Sequence, residues 1–262
     1  MKFVTSNILA QYDSITHAFL TRIGGVSSGP FASLNFDNSK GDIYSNIDRN
    51  RAIVSKFLNF NPNRLITTNQ VHRDNIFIVD SPSEVFQNQI MNSKKMSADA
   101  ILTNQKGVAI GVMTADCLPI ILFDPVKMVA GIAHAGWRGT AKGICKNVIK
   151  SLSDHFESKP EDILVALGPS IGPCCYEVGV DVVSHFTSMI SCTDEILIEV
   201  EGNRWKLDLR KANVSQLVEC KVMKKSISIS NFCTSCNTNL FFSYRKEGNL
   251  TGRQLNLVLI KD

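Results

Sequence analysis

The chain has 262 residues, 44% hydrophobic and 20% charged, enough apolar material for a substantial core. A net charge of +4 with no dense Lys/Arg run excludes dedicated nucleic-acid binding, while a mild basic excess suits an anionic substrate such as phosphate. No apolar run reaches membrane-spanning length, and MKFVTSNILAQYDS is too short and polar for a signal peptide. The chain is therefore expected in the cytoplasm, with its eight cysteines as reduced thiols.

Ile15–Leu20 reads as a strand, followed by the long Gly/Ser/Asn-rich loop TRIGGVSSGPFASLNFDN. Arg22 stands beside its Gly-Gly pair, either as a solvated loop arginine or as a substrate contact. Ile43–Phe60 carries Ile47, Ile53, Val54, Phe57 and Leu58 at helical spacing, and Pro62 closes the helix. Arg51 lies on it, where a lone arginine is normally a surface or salt-bridge residue. Strands Arg64–Thr68 and Ile76–Asp80 follow, with His72 in the connection; taken alone it is an ordinary polar loop residue. Ser81–Ser97 reads as a polar surface excursion, and Ala98–Thr103 returns to a strand.

The stretch Val108–Gly143 organises the rest. Its apolar runs Val108–Met113, Leu118–Phe123 and Met128–Ala133 read as buried strands, with a turn at Asp124-Pro125. Cys117 sits where one strand hands over to the next, and His134 ends the third. A thiol and an imidazole at the ends of core strands are rigidly held and can converge. Gly139–Phe156 has helical pattern, placing Arg138 and the N–H groups of Gly139 and Thr140 at a helix start suited to an anion. A cap-region salt bridge is the competing reading for Arg138.

Asp162–Leu167 is another buried strand, leading into the turn-rich GPSIGPCCYEVG. Tyr176-Glu177 opens a helix to about Ile190. Ile196–Val200 and Trp205–Leu207 form a hairpin, and Asp208 caps a helix over Leu209–Cys220. Ser226–Ser230, Leu240–Ser243 and Gln254–Ile260 close the sheet as strands. No repeat or linker interrupts the chain, so residues 1–262 read as one α+β domain with mixed β-sheets in the core and flanking helices.

Several blocks recur in order: TRIGGVS (Thr21–Ser27), NQVH (Asn69–His72), TADCLPIILFDP, HAGWRGTAKG, GPSIGPCCYEV (Gly168–Val178), FSYR (Phe242–Arg245) and Gly252-Arg253. They resemble the signatures of the bacterial laccase-like polyphenol oxidase family. That family is also described as a purine nucleoside phosphorylase with adenosine deaminase activity, and as a peptidoglycan editing factor. The resemblance implies a laccase-like/cytotoxic-necrotising-factor-like cysteine hydrolase fold. It further implies a zinc or copper ion on catalytic His72, Cys117 and His134. Substrate contacts are implied for Arg22, Arg51 (in an Asn50-Arg51 pair), Asp116, Arg138, Arg245 and Arg253, the arginines as a phosphate clamp. Asp116 could be a general acid or base, or could orient a ligand histidine, which is the favoured expectation. The expected substrates are phosphate and a purine nucleoside (inosine, adenosine or methylthioadenosine), taken by a monomer. The family usually has two arginines after FSY; the pair here is Arg245-Lys246, and losing the second guanidinium fork points to weaker phosphate binding.

Two imidazoles and one thiolate leave an open fourth position, where zinc lowers the pKa of a water toward neutrality. Such a hydroxide could attack the amine-bearing carbon of adenosine, although the usual His-x-Glu and Pro-Cys-x-x-Cys motif is absent. Other readings compete. In a metal-free amidase acting on peptidoglycan precursors, Cys117 attacks and a histidine is the base. In a copper-dependent polyphenol oxidoreductase, Met113 would be an axial ligand. A multicopper mechanism needs many imidazoles, and the chain has only His17, His72, His134, His155 and His185. A non-enzymatic protein with a structural metal is the remaining alternative. Cys233–Cys236 is half a zinc site without a second half nearby, with Cys220 the nearest other thiol. It and Cys174-Cys175 read as reduced structural thiols.

Overall fold

The computed structural model describes residues 1–80, 96–187 and 193–262. Its strands are β1 (Phe3–Val4), β2 (Ile15–Leu20), β3 (Leu65–Thr67), β4 (Ile76–Val79), β5 (Ala100–Thr103), β6 (Ala109–Thr114) and β7 (Leu118–Asp124). These are followed by β8 (Val129–Ala135), β9 (Leu164–Leu167), β10 (Glu177–Gly179), β11 (Leu197–Val200), β12 (Arg204–Leu207), β13 (Ile227–Ile229) and β14 (Gln254–Ile260). The helices are α1 (Tyr44–Leu58), α2 (Trp137–Ala141), α3 (Ile144–Phe156), α4 (Val180–Thr187), α5 (Thr193–Ile196), α6 (Leu209–Glu219) and α7 (Tyr244–Glu247).

One sheet runs β1-β2-β14-β6-β3, a second β13-β9-β7-β8-β5-β4, and a small third β10-β12-β11. The two large sheets are mixed: β3–β6, β4–β5 and β9–β13 are parallel, while β2–β14, β6–β14 and β7–β8 are antiparallel. Side-chain alternation decides the layers. β14 sends Val258 and Ile260 inward with Phe19 and Ile110, and Leu255, Leu257 and Leu259 outward with Val54 of α1. β7 sends Ile121 and Phe123 to the same inner layer, and Leu118, Ile120 and Leu122 outward to Val148, Ile149 and Leu152 of α3. The sheets therefore face each other across one apolar layer, and helices cover their outer sides. Burial on both faces explains why β7 and β8 are mostly apolar runs; β14 opens with Gln254 and Asn256, whose buried amides bond to Phe242 and to Val112 and Thr114.

The chain crosses between the large sheets from β3 to β4 and again from β6 to β7. His72 lies on the first crossing and Cys117 on the second, so both meet at the seam between the sheets.

Some expectations change. Leu240–Ser243 is not a strand: the N–H groups of Leu240 and Phe241 turn back to Asn237 O, and Ser243 caps α7. The segment from Tyr176 pairs first as β10 against β12, so the helix starts only at Val180. Its expected end near Ile190 lies outside the described residues, as does most of the Ser81–Ser97 excursion. The helix expected over Gly139–Phe156 is broken in two, because Gly143 takes a left-handed conformation (φ 81) between α2 and α3. Thr140 N–H already donates to Gly136 O (2.9 Å) and is not free for an anion. Strands 226–230 and 254–260 belong to different sheets rather than closing one. Among the described residues, no helix is long and apolar enough to cross a membrane.

Gly168 follows β9 where the two sheets press together. A Cβ there would lie 2.4 Å from the Phe19 ring and 2.8 Å from Pro119. Gly168→Ala is expected to cost roughly 1–3 kcal/mol of unfolding free energy in urea. A loss below about 0.5 kcal/mol would mean that the layer is looser than described.

Candidate metal centre

Asp99 precedes β5 and is fully buried. A buried carboxylate needs donors. It accepts the backbone N–H groups of Val71 (3.2 Å), His72 (3.0 Å) and Arg73 (2.8 Å). The left-handed backbone of His72 (φ 55) helps curl these successive N–H groups onto one anion. Asp99 also accepts from Nδ1 of His134 at 2.8 Å. A carboxylate can only accept, so Nδ1 carries the proton and Nε2 is left for a ligand.

In the β7–β8 register His134 stands opposite Pro119, two positions from Cys117. The His72 and His134 rings meet edge-on with centroids 4.8 Å apart. Ligand atoms of His72, Cys117 and His134 all lie within 4.8 Å of one another, so the three could hold a metal ion. Gly136 gives them room: a Cβ there would sit 3.0 Å from Cys117 Sγ and 3.2 Å from His72 Nδ1.

Burial works to raise the Cys117 thiol, but the charge and hydrogen bond of His134, with those of His72, outweigh it and bring the thiol to about 6. Burial likewise opposes charge on His134, and the neighbouring Cys117 and Asp99 overcome it, lifting the imidazole to about 9. Burial would raise Asp99 too; the His134 hydrogen bond and the Arg73 N–H hold it below the usual carboxylate range. Without a metal, each partner thus favours the charged form of the other, thiolate on Cys117 and imidazolium on His134.

The trio borders a cleft of about 820 Å³ whose wall includes Arg51, Arg138, Arg245, Arg253, Trp137 and Tyr176. Burial lowers the pKa of Arg51, so its charge is poorly solvated and gains from an incoming anion. Arg138 lies over the Trp137 ring (4.2 Å) and Arg245 over Tyr176 (5.2 Å). Arg253 is steadied by the Thr251 and Gly252 carbonyls. Met113 also lines the cleft, with its backbone N–H and C=O both bonded to Gln70.

Arg22 and Asp116 are placed differently from the other candidate residues. Arg22 is not among the described residues lining the cleft. It pairs with Glu247 (2.6 Å), donates to the Ala32 and Thr238 carbonyls and lies over Phe242, strapping its loop to the C-terminal segment. Asp116 borders the cleft but does not orient a histidine. Its carboxylate accepts from Thr234 Oγ1 (2.5 Å), Ser243 Oγ (3.0 Å) and Arg245 N–H (2.6 Å). The orienting carboxylate is Asp99, which sequence reasoning missed. Its signal was an acid heading the otherwise apolar run of ADAILT, costly unless matched. Lys246 is also absent from the described cleft wall, so the Arg245-Lys246 pair leaves the cleft arginines intact. The other histidines are engaged elsewhere: His17 with Ser6 N–H, His155 with Asp80 and His185 with Trp137.

Two facing mixed sheets with a thiol–imidazole centre at their seam define an α+β protein with a candidate metal site. A family model described as multi-copper polyphenol oxidoreductase laccase matches residues 16–261, and the chain belongs to this family. It is 36% identical over 239 residues to purine nucleoside phosphorylase YlmD of Geobacillus stearothermophilus, covering 91% of this chain and 87% of that protein. Identity to purine nucleoside phosphorylase YlmD of Bacillus subtilis is 30% over 244 residues, covering 93% and 88%. The crystal structure of the G. stearothermophilus protein superposes with a TM-score of 0.90 at 33% identity, covering 98% of this chain and 94% of that one.

Metal-free protein should show Cys117 alkylation by iodoacetamide rising with pH through about 6, followed by peptide mass. In His134→Asn the inflection should move up toward the ordinary thiol range near ~8.5; an unchanged profile would remove the ion pair. Gly136→Ala and Asp99→Asn should each weaken metal affinity, the latter by roughly 10–100-fold, measured by competition with a chelator.

Proposed function

We propose that residues 1–262 act as one domain, a cytoplasmic monomer, and a metal-dependent purine nucleoside phosphorylase with adenosine deaminase activity. The observation that carries this reading is the His72–Cys117–His134 centre opening onto a cleft with four arginines and with Trp137 and Tyr176 among its aromatic rings. Phosphorolysis needs phosphate held beside the ribose anomeric carbon and a flat seat for the base. Arg51, Arg138, Arg245 and Arg253 offer guanidinium forks that match phosphate oxygens. Trp137 and Tyr176 offer ring faces for a purine. A zinc ion on the trio would supply Lewis acidity for phosphorolysis and, with adenosine, an activated water for deamination. Asp99 keeps His134 in one tautomer and holds the His72 loop, so the centre is set before substrate arrives. The names of the relatives support the choice of reaction.

A second reading has its own support. Cys117, His134 and Asp99 lie in hydrogen-bonded series, as in thiol amidases, which fits an amide such as a peptidoglycan precursor. Chelation separates the two: amidase turnover would survive metal removal and vanish on thiol alkylation.

The deciding measurement is phosphate-dependent base release from inosine, adenosine and methylthioadenosine. Cys117→Ala should lose metal and phosphorolysis together, by about 100-fold or more in rate. Arg51→Lys should raise the phosphate KM by roughly 10-fold with less effect on the nucleoside. Wild-type phosphorolysis in Cys117→Ala would refute the proposal.

A further inference from the structure

A second cluster lies outside the His72–Cys117–His134 centre. β9 and β13 run parallel in register, Val165 opposite Ile227 and Leu167 opposite Ile229. The pairing continues past both strands: Ser170 bridges to Cys233, and Thr234 N–H donates to Ser170 O (3.1 Å). The two chain segments therefore leave the sheet side by side. One carries Cys174-Cys175, the other Cys233 and Cys236.

The four sulfurs lie within 4.8 Å of one another. Cys236 Sγ is 3.3 Å from Cys175 Sγ and 3.6 Å from Cys174 Sγ. Tetrahedral zinc with bonds of about 2.3 Å to sulfur sets its thiolates about 3.8 Å apart, within this spread. Donors are already in place for a concentrated negative charge. Gly172 N–H donates to Cys233 Sγ at 3.2 Å, and the Cys236 N–H also bonds to it. The Arg210 guanidinium lies alongside, since a Cβ on Gly172 would be 2.9 Å from Arg210 Nη2 and 3.3 Å from Cys174 Sγ. Arg210 is anchored to Ser230 O (2.8 Å). Cys174 and Cys236 are exposed, which gives an ion a way in, and Cys233 is buried. Ligand type, number, spacing, supporting donors and access all agree.

We infer that Cys174, Cys175, Cys233 and Cys236 form a second metal site, a four-thiolate structural zinc site. Binding releases the thiol protons to solvent and involves no change of oxidation state. The ion would clamp a loop of the cleft wall, bearing Ile171 and Tyr176, to a second loop that braces the wall through Asp116. Thr234, between the paired cysteines, donates to the Asp116 carboxylate, and Ile171 N–H donates to Asp116 O (2.9 Å). Tyr176, next to Cys175, lines the cleft itself. The site needs neither the Cys117 centre nor any choice of reaction.

The test is elemental analysis of full-length protein purified under reducing conditions, with cobalt(II) loading as a spectroscopic readout. Cys117→Ala should retain about one zinc per chain. Loaded with cobalt, it should show strong near-ultraviolet thiolate-to-metal bands together with the red-region bands of tetrahedral cobalt. Stripping its metal with a chelator should make further thiols reactive to a disulfide reagent. Cys233→Ser/Cys236→Ser should lose that equivalent and those bands; should this double variant not fold, the Cys117→Ala data decide alone. A metal-free Cys117→Ala protein without thiolate bands would overturn the site. So would native peptide mapping that finds Cys236 joined by a disulfide to Cys174 or Cys175.

Discussion

One buried carboxylate governs the centre. Asp99 has no solvent to satisfy it, so its charge persists only while four donors point at it. Three are consecutive backbone N–H groups of the loop bearing His72, and the fourth belongs to His134. The loop cannot drift without stripping the carboxylate, and the imidazole cannot turn without doing the same. Both histidines are thus positioned by one desolvation penalty, and Cys117 is brought to them by the short crossing between β6 and β7.

Asp116 repeats the device on the other wall. It is buried, has a left-handed backbone (φ 89) and gathers Thr234, Ser243 and the Arg245 N–H. These lie far along the chain, so a residue adjacent to Cys117 fastens the C-terminal segment beside the cleft. Arg245 reaches the cleft because its backbone is held there, and its side chain is steadied by Glu177 O and the Tyr176 ring. The contacts that hold the Arg245 guanidinium at the cleft are thus with a carbonyl and a ring rather than with a carboxylate.

The core strands were legible because they are buried on both faces, leaving runs such as Leu118–Phe123 with no polar interruption to confuse them. Asp208 capping α6 was legible because a cap is local chemistry, and its carboxylate does accept from Arg210 and Lys211 N–H. The convergence of His72, Cys117 and His134 came from the family blocks, since their spacing alone matches no compact metal motif. What stayed hidden depends on partners distant in sequence. Asp99 looks like a strand-edge acid until the His72 loop folds over it. Arg22 looks available until Glu247 arrives 225 residues later. The paired cysteines look like two unrelated pairs until β9 and β13 lie alongside each other. The strand expected at Leu240–Ser243 failed for a local reason, because two N–H groups turn back to a single asparagine carbonyl.

The position of β14 carries a further consequence. It is the middle strand of its sheet, joined to β2 on one side and β6 on the other, so β2 has only β1 beside it until β14 is present. A ribosome will have made Phe19, on β2, 237 residues (256 − 19) before its partner Asn256 on β14. Until β14 is made, the edges of β2 and β6 that it will join, bearing Phe19 and Ile110, lack that partner. Pairing of such long sequence separation is slow, because the loop must close before the contact rewards it.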